Sequence, residues 1–288
     1  MTRSSASVVF GQVIGMPASS VLRLAAMAAA SEGGIDPETL LMMRMRVDAG
    51  ELDTLSGAAV WHELARGLSE AVPSRMLQAL RACGGLAVVL PELDALFGVP
   101  QSADDPPTVD IGEHQLRWVD ELARRRAPLD LRFAALVANV GKADSPPEHL
   151  PSHYRHHDRA LPRIEAMCAR FALPQRFLRL AGLVLAEFER VHRASEMRAG
   201  SLVALLERVG AFVDEDDFQS LMQVCEADFS AYPGRASLSY PKRRILSTAL
   251  AAARAVTVDD DDTEALLEAR VLAAAAALRS SRWGEAAG

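Results

Sequence analysis

Histidine is concentrated in one short stretch of the chain. Four of the seven histidines fall in the segment HLPSHYRHHD, namely His149, His153, His156 and His157, and Asp158 closes it. Imidazole and carboxylate groups at this density could hold a divalent metal ion. A solvated loop that enters a helix, with His157 and Asp158 in its first turn, explains the same residues equally well, so the segment alone favours neither interpretation.

Two more residues of ligand type lie on other predicted helices. His114 falls on a helix that begins near Gly112, and Asp228 lies in CEADFS on a late helix. Between them, Ala138-Asn139 stand where an apolar helix meets a turn at Gly141. A methyl group cannot ligate a metal, and a neutral amide is a poor substitute for an anionic oxygen on a hard cation. Any metal chemistry at this turn therefore lacks its central ligands.

The composition indicates which kind of fold positions these residues. The chain has 288 residues, of which 50% are hydrophobic and only 5% are aromatic. An apolar half is enough for a large core, and a preponderance of Ala, Leu and Arg favours helices packed through small side chains. The net charge of −7 argues against a general coat of nucleic acid, so any RNA contact must come from local basic patches.

Compartment is indicated by the cysteines and by the hydropathy of the chain. Cys83, Cys168 and Cys225 are far apart and odd in number, which is typical of buried thiols in a reducing cytoplasm. No apolar run approaches the roughly 20 residues of a membrane span. The sequence predicts a cytoplasmic protein with no membrane partner.

Start and stop signals divide the chain into a series of helices. Residues 1–19 lack helical periodicity and are predicted to be a flexible arm. A helical region at 20–101 follows, in which Met42, Met43 and Met45 are predicted to pack in the core, and Ser74 to cap a helix. The clearest linker is QSADDPP, at residues 101–107.

Beyond the linker, residues 102–256 form a second helical region and residues 257–288 a C-terminal helix and tail. Helices are predicted around 112–126, 128–140, 157–171, 174–193, 199–212, 214–229, 240–256 and 263–279. No alternating pattern typical of a strand appears. Four aspartates, Asp259 to Asp262, precede the last helix and are interpreted as a solvated cap that complements its dipole. The fold class is all-α.

Five segments, taken in order, resemble the bacterial multifunctional CCA-adding enzyme, a tRNA nucleotidyltransferase that carries an HD domain. They are PSRMLQALRACGGLAVVLPELDALFGVPQ, VDIGEH, RFAALVANVGK, PPEHLPSHYRHH and CEAD. The resemblance covers roughly residues 20 to 256, a span that no single motif could mimic. It implies a helical neck and body followed by a degenerate HD helical bundle.

The resemblance assigns metal-ligand positions to His114, His156 and Asp228. The His-Asp pair of the family reads Ala138-Asn139 here, and two further His positions read Pro106 and Phe188. With the central pair lost, divalent metal should be held loosely if at all, so no cofactor is expected. A three-ligand site completed by His153 or Asp158 is the alternative.

The catalytic head of the family has no counterpart in the sequence. Residues 1–19 precede the neck-like segment, whereas roughly a hundred residues would be needed for a domain of that kind. The neck template that selects the incoming base is also lost, because its positions read Met16, Pro17, Ala18, Ser19 and Ser20. Arg23 alone remains of the basic pair. We therefore expect no nucleotidyltransferase activity from this chain by itself.

Binding of tRNA or another structured RNA is the function that the resemblance leaves open. The family grips tRNA through its backbone, which requires Arg and Lys along the phosphates. The candidate residues are Arg75, Arg81, Arg124, Arg125, Arg126, Lys242, Arg243 and Arg244. Each cluster taken alone is more typical of a solvated helix end.

Three hypotheses follow for function. The first is an inactive remnant of the CCA-adding enzyme that binds RNA or a protein partner. The second is a metal-dependent HD phosphohydrolase with a rebuilt site that uses His114, His156 and Asp228, with Lys142 near the phosphate. The third is a subunit that complements a separately encoded nucleotidyltransferase head.

Overall fold

The computed structural model describes residues 18–257 and 262–286. The arm predicted at residues 1–19 lies outside the described residues as far as residue 17, and so do Asp259, Asp260 and Asp261 of the acidic run. The last member of that run, Asp262, accepts hydrogen bonds from the backbone N–H groups of Glu264 and Ala265, at 3.0 and 3.1 Å. It therefore caps the final helix, as predicted.

The described residues are mainly α-helical, which confirms the all-α prediction. The first seven helices are α1 (Ser20–Ala30), α2 (Pro37–Asp48), α3 (Gly57–Ser69), α4 (Pro73–Ala82), α5 (Gly85–Val89), α6 (Pro91–Asp94) and α7 (Ile111–Arg124). The next seven are α8 (Leu129–Val137), α9 (His156–Arg170), α10 (Gln175–His192), α11 (Ala199–Arg208), α12 (Asp216–Ala231), α13 (Pro241–Arg254) and α14 (Thr263–Ala286). Short 3-10 turns cover 51–54, 140–142, 147–149 and 194–196.

The predicted linker is part of a small antiparallel hairpin. Strand β1 (Pro100–Ser102) pairs with β2 (Thr108–Asp110), and Gln101 lies opposite Val109. The expectation that the chain contains no strand is therefore wrong at this one place. Strands of three residues are too short to produce an alternating apolar pattern, so the sequence carries no periodic signal for them.

The chain divides into two compact units. The first comprises the residues up to Leu185 together with Ala231–Pro233, and the second comprises Ala186–Ser230 and the residues from Gly234 onward. In the first unit α1 packs against α3 and α4, and α7 packs against α4 and α8. An aromatic cluster lies in its core, where the ring of Trp61 is 5.6 to 5.8 Å from those of Phe133, Phe171 and Phe177. Such rings supply large buried areas and favourable edge contacts.

The second unit is built from α11, α13 and α14 packed on one another, with most of α12 and the end of α10. Its buried apolar side chains come from successive turns of these helices, including Leu206, Phe218, Met222 and Leu246. Each helix therefore contributes one apolar face, as amphipathic helices in a small bundle do.

Burial tests several of the sequence interpretations. All three cysteines are buried free thiols, as predicted, and burial raises the pKa of each. Of the methionines predicted to pack in the core, Met43 is 1% exposed, but Met45 is 58% exposed, so the prediction is wrong for Met45. Every described helix is too short or too polar to cross a lipid bilayer.

Candidate functional site

The turn that carries Ala138 and Asn139 is buried and bonded to its neighbour α7. Helix α8 ends at Val137, and both residues that follow are at most 5% exposed. The Asn139 side-chain amide donates to Gln115 Oε1 at 3.0 Å, and the Gln115 amide donates in turn to the Ala135 carbonyl. Asn139 thus belongs to a network of neutral amides that links α7 to the end of α8.

Helix α9 holds the same turn from the other side. A Cβ on Gly141 would lie 2.0 Å from the His156 carbonyl oxygen and 2.7 Å from the Ala160 nitrogen, so only glycine fits at this approach of two backbones. Arg159 Nε donates to the Gly141 carbonyl at 2.9 Å, and Arg163 Nη1 donates to the Val140 carbonyl at 2.8 Å. Two guanidinium groups therefore satisfy the carbonyls of the turn.

His153 is committed to the hydrogen bonds that fix the histidine-rich loop. Its Nε2 lies 3.0 Å from the Pro100 carbonyl, which can only accept, so Nε2 carries the proton. Its Nδ1 lies 2.8 Å from Ser145 Oγ, which also accepts from Arg159 Nη2 at 3.2 Å. Both ring nitrogens of His153 thus serve structural hydrogen bonds.

His156 and His114, the two predicted histidine ligands, lie in the first unit. His156 Nδ1 is 2.9 Å from the His153 carbonyl, so Nδ1 carries the proton and Nε2 is the basic nitrogen. Metal-binding histidines are oriented by this kind of hydrogen bond. His114 is fully buried, with its ring 4.2 Å from that of Tyr232 and 6.2 Å from that of Trp118.

Asp228, the third predicted ligand, lies in the second unit beside a histidine that the sequence analysis did not single out. Its Oδ2 is 3.3 Å from His192 Nε2, and the Tyr240 hydroxyl is 3.0 Å from His192 Nδ1. The Phe188 ring lies 4.4 Å from the imidazole. The family resemblance expects a histidine at position 188, which is Phe188 here. The only sequence signal for His192 is that it lies on α10 one helical turn after Phe188.

Burial makes this cluster of the second unit sensitive to ionisation. Desolvation raises the pKa of the Tyr240 phenol well above its ordinary value of 10.0, and the carboxylates of Asp228 and Glu226 add to the rise. Tyr240 therefore stays protonated in the folded protein. Because a carboxylate faces Nε2, a proton is favoured there, which leaves Nδ1 to accept from the Tyr240 hydroxyl.

The donor set of the first unit does not fit a complete HD metal centre. Ala138 offers no ligand atom, and the Asn139 amide is bonded to Gln115. Within either unit taken alone, the described residues bring no three His, Cys, Asp or Glu ligand atoms within 4.8 Å of one another. The three-ligand site of His114, His156 and Asp228 stays a prediction. Asp158, its suggested supplement, pairs with Arg155 at 2.6 Å.

The basic residues predicted in the first unit differ in how they are engaged. Arg124 pairs with Glu121 at 2.7 Å, and Arg125 lies 3.7 Å from the same carboxylate. Arg126 is exposed and has a left-handed backbone with φ of 56°. Because the Glu121 carboxylate partly neutralises Arg124 and Arg125, these two residues would attract a phosphate less strongly than Arg126 would.

Two further predicted cations of the first unit lie on or beside α4. Arg81 stacks on the Phe97 ring at 3.9 Å and lies 4.0 Å from Glu113, with half of its side chain exposed. Arg75 donates to the backbone carbonyl of Ser31. Arg81 is held less closely by a carboxylate than Arg124 is, and Arg75 is bonded to a backbone oxygen, so both keep charge for a phosphate.

The predicted basic cluster of the second unit is largely engaged within α12 and α13. Arg243 forms an ion pair with Glu226 and donates to Gln219 Oε1 at 2.9 Å. Lys242 donates to the Ser195 hydroxyl, and Arg244 is exposed. Of this cluster, Arg243 is therefore the residue least suited to bind a phosphate.

Comparison with known proteins finds no matching family model. The chain is 45% identical over 237 residues to the Multifunctional CCA protein of Burkholderia mallei (strain SAVP1), and equally to that of Burkholderia pseudomallei (strain 668). Identity to the Multifunctional CCA protein of Cupriavidus necator is 44% over 237 residues. Each match covers 82% of this chain, and the chain spans 57 to 58% of the length of these relatives.

Proposed function

We propose, from its relationship to part of the Multifunctional CCA proteins, that this chain is a tRNA nucleotidyltransferase-like protein that binds tRNA or another structured RNA without catalysing nucleotidyl transfer by itself. The observation that carries the proposal is 45% identity over 237 residues. The neck positions that read Met16 to Ser20 argue against nucleotidyl transfer, and Ala138-Asn139 in place of the His-Asp pair argue against HD metal chemistry. In this proposal, the region that resembles the neck, body and HD domain is a cytoplasmic binding module.

The geometry of the turn supports the loss of metal-dependent chemistry. Asn139 and Gln115 bond to each other, and the carbonyls of Val140 and Gly141 accept from Arg163 and Arg159. A turn satisfied in this way keeps its shape without a cation. We therefore propose that the folded protein needs no resident divalent metal.

The charges support contact with the phosphate backbone more than recognition of bases. Arg124 and Arg125 share the Glu121 carboxylate at 2.7 and 3.7 Å. By contrast, Arg75 donates to a backbone carbonyl, Arg81 stacks on Phe97 at 4.0 Å from Glu113, and Arg126 is exposed. Three such contacts give modest affinity with a measurable dependence on salt. The overall charge of −7 keeps binding from being indiscriminate.

A filter-binding titration against deacylated tRNA tests the proposal. We expect tighter binding than to a random RNA of equal length, and a log affinity that falls linearly with log salt concentration. The variant Arg126→Ala should weaken binding and reduce the salt slope by about 1. Arg170→Ala is the control, because Arg170 pairs with Glu92 at 2.9 Å. Equal affinity for both RNAs, or no salt slope, would contradict the proposal.

A second function, metal-dependent phosphohydrolysis at a rebuilt site, is favoured by one observation. The hydrogen bond from His156 Nδ1 to the His153 carbonyl leaves Nε2 basic, as in a metal ligand. Elemental analysis of the untreated protein, followed by turnover of a generic phosphodiester with Ni²⁺, Co²⁺ or Mn²⁺, distinguishes this function from RNA binding. Phosphodiesterase activity that appears only in the double variant Ala138→His, Asn139→Asp would support the hypothesis that the wild-type chain is an inactive remnant.

A third function is that of a subunit. We propose as an alternative, from the identity to Multifunctional CCA proteins and the neck positions that read Met16 to Ser20, that this chain complements a separate chain that carries a nucleotidyltransferase head. Such a partner should co-purify with the tagged chain and restore CCA addition to a truncated tRNA. Addition by the purified chain alone would contradict both this alternative and the remnant.

A further inference from the structure

The histidine-rich loop displays an aromatic side chain that is mostly exposed to solvent. Tyr154 is 77% exposed, the largest exposure of any aromatic among the exposed large apolar residues of the described chain. It lies between His153 and Arg155, immediately before α9. A single exposed apolar residue needs no explanation in itself. What needs an explanation is that the loop that carries Tyr154 is held in place by hydrogen bonds.

The backbone around Tyr154 is fixed by bonds that leave the ring aside. Arg159 Nη1 donates to the Tyr154 carbonyl at 3.1 Å, and the preceding residue, His153, is bonded through both ring nitrogens. The following residue, Arg155, has a left-handed backbone with φ of 53° and pairs with Asp158 at 2.6 Å. A non-glycine residue keeps that conformation only where its surroundings enforce it. The ring is therefore displayed from a preorganised support.

The surroundings of the ring indicate what it would contact. Within residues 149–158 the exposed side chains other than Tyr154 are polar or charged, and Leu150 and Pro151 are half-buried, so no exposed apolar patch for a protein partner surrounds the ring along the loop. Arg155 is 67% exposed in its side chain, and Ser152 and His149 are exposed as well. An exposed aromatic face suits a nucleotide, because the base can stack on the ring. Arg155 is paired with Asp158, so it adds less to a phosphate contact than an unpaired arginine would.

We propose that Tyr154 is a stacking platform for an unpaired base of bound RNA. This inference rests on the proposed RNA-binding function and adds the kind of RNA feature that the loop engages. Stacking on an aromatic ring tolerates any base, because every base has a π face. The loop therefore selects an unpaired nucleotide by shape and leaves its sequence unread.

Two hairpin RNAs that share one stem test the proposal. One carries a single-stranded 3′ tail of about four nucleotides, with 2-aminopurine at one tail position, and the other has a blunt end. We expect Tyr154→Ala to bind the tailed hairpin about tenfold more weakly than the wild type and to bind the blunt hairpin equally well. Tyr154→Phe should keep wild-type affinity, because its ring stacks as well. The 2-aminopurine fluorescence should be quenched by the wild type and by Tyr154→Phe, but not by Tyr154→Ala.

The matched control is Leu161→Ala, which removes an exposed apolar side chain, 41% accessible, from the next helix. It should leave both affinities unchanged. If the wild type binds neither hairpin, the proposed function fails first. If the wild type binds the tailed hairpin and Tyr154→Ala binds it equally well, the stacking platform is wrong and the proposed function stands. An equal loss on both hairpins, or unchanged RNA binding with an altered oligomeric state in sedimentation, would also overturn the stacking platform.

Discussion

The turn at residues 138–142 and the cluster of His192, Asp228 and Tyr240 both occupy places where the family resemblance expects metal ligands, but they are satisfied in different ways. In the turn, neutral amides bond to each other and guanidinium groups hold the carbonyls. In the cluster, a carboxylate faces an imidazole that is also bonded to a buried phenol. The turn is held by neutral and permanently charged groups, whereas the cluster depends on three groups that can titrate.

This difference shows two ways in which a fold can accommodate a position where the family resemblance expects a metal ligand. Replacement of the ligand by an amide removes the charge and leaves a hydrogen bond that hardly varies with pH. A carboxylate that is kept beside a histidine keeps its charge. The free energy of unfolding then depends on the protonation of these groups. Compared with the His-Asp pair that the resemblance expects, the first way differs at two positions, 138 and 139, whereas the second needs only a suitably placed imidazole. Measurements of stability in the two regions test this contrast.

Gly141→Ala should have the largest effect. Its new Cβ would lie 2.0 Å from a backbone oxygen of α9, so either the turn or the helix must move. We expect a loss of about 3 kcal/mol in the free energy of unfolding. Chemical denaturation followed by the fluorescence of Trp61 and Trp118 in the first unit measures it.

Gly182→Ala is the matched control for that variant. Gly182 lies inside α10, and a Cβ there would meet no atom within 4 Å. Alanine is favoured over glycine inside a helix, so this variant should be neutral or more stable by up to about 1 kcal/mol. A Gly141→Ala protein as stable as Gly182→Ala would mean that the turn is not held by the close approach of α9.

Asn139→Asp should have the second largest effect. It places a carboxylate at a site that is 3% exposed, where its neighbour Gln115 presents Oε1, an acceptor. We expect a loss of about 2 kcal/mol at neutral pH, from the buried charge and the lost donor. Burial would raise the pKa of the new carboxyl, so the loss should shrink as the pH falls toward 4. Thermal melts of the variant and the wild type at several pH values measure this trend.

The contrast with the cluster would weaken if the Asn139→Asp deficit did not change with pH. Asn139→Ala separates the two causes, because it removes the amide donor without adding a charge. Its loss of stability should be independent of pH over the same range. A loss equal to that of Asn139→Asp at every pH would assign the whole effect to the hydrogen bond.

Tyr240→Phe should have the smallest effect, and the one most dependent on pH. It removes the hydroxyl bonded to His192, at a cost of about 1 kcal/mol. Because burial raises the pKa of Tyr240, the folded protein keeps its proton above pH 10.0 while the unfolded chain loses it. The contribution of Tyr240 is therefore present below that pH and is lost as the pH rises. The variant should show a shallower fall in stability above pH 10.0.

Tyr154→Phe is the control in this series, because its ring is exposed and its stability profile should match the wild type. Cys225 keeps part of the alkaline slope in Tyr240→Phe, since burial raises its pKa too. Hydrogen exchange resolved by peptide assigns the slope to the second unit. An unchanged slope in Tyr240→Phe would mean that the cluster is no more sensitive to ionisation than the turn.

Helix positions were predictable from the sequence because their signals are local. Asp110 accepts from the Glu113 N–H at 2.9 Å and Asp36 from the Thr39 N–H at 2.9 Å, so the caps lie within three residues of the groups they serve. The start of α4 shows the limit. The sequence predicts that Ser74 caps it, but the Ser74 N–H instead donates at 2.9 Å to Asp120 Oδ1, which lies 46 residues away.

The candidate site was less predictable for the same reason. The sequence indicated that Ala138 and Asn139 cannot ligate, because that follows from residue type alone. It did not indicate that Asn139 bonds to Gln115, 24 residues away, or that Arg243 pairs with Glu226 from another helix. Spacing along a chain identifies neighbours within one helix, whereas partners on different helices depend on how the helices pack.

The close approach of Gly141 to α9 also affects how distant homologues of this protein can be detected. Ala138-Asn139 give a search based on a His-Asp pair nothing to match, but the chain still requires a residue without a side chain two positions later. A search profile that relies on a His-Asp pair will pass over chains of this type. One that weights the glycine, together with the arginines one and two turns into the following helix, will retrieve them.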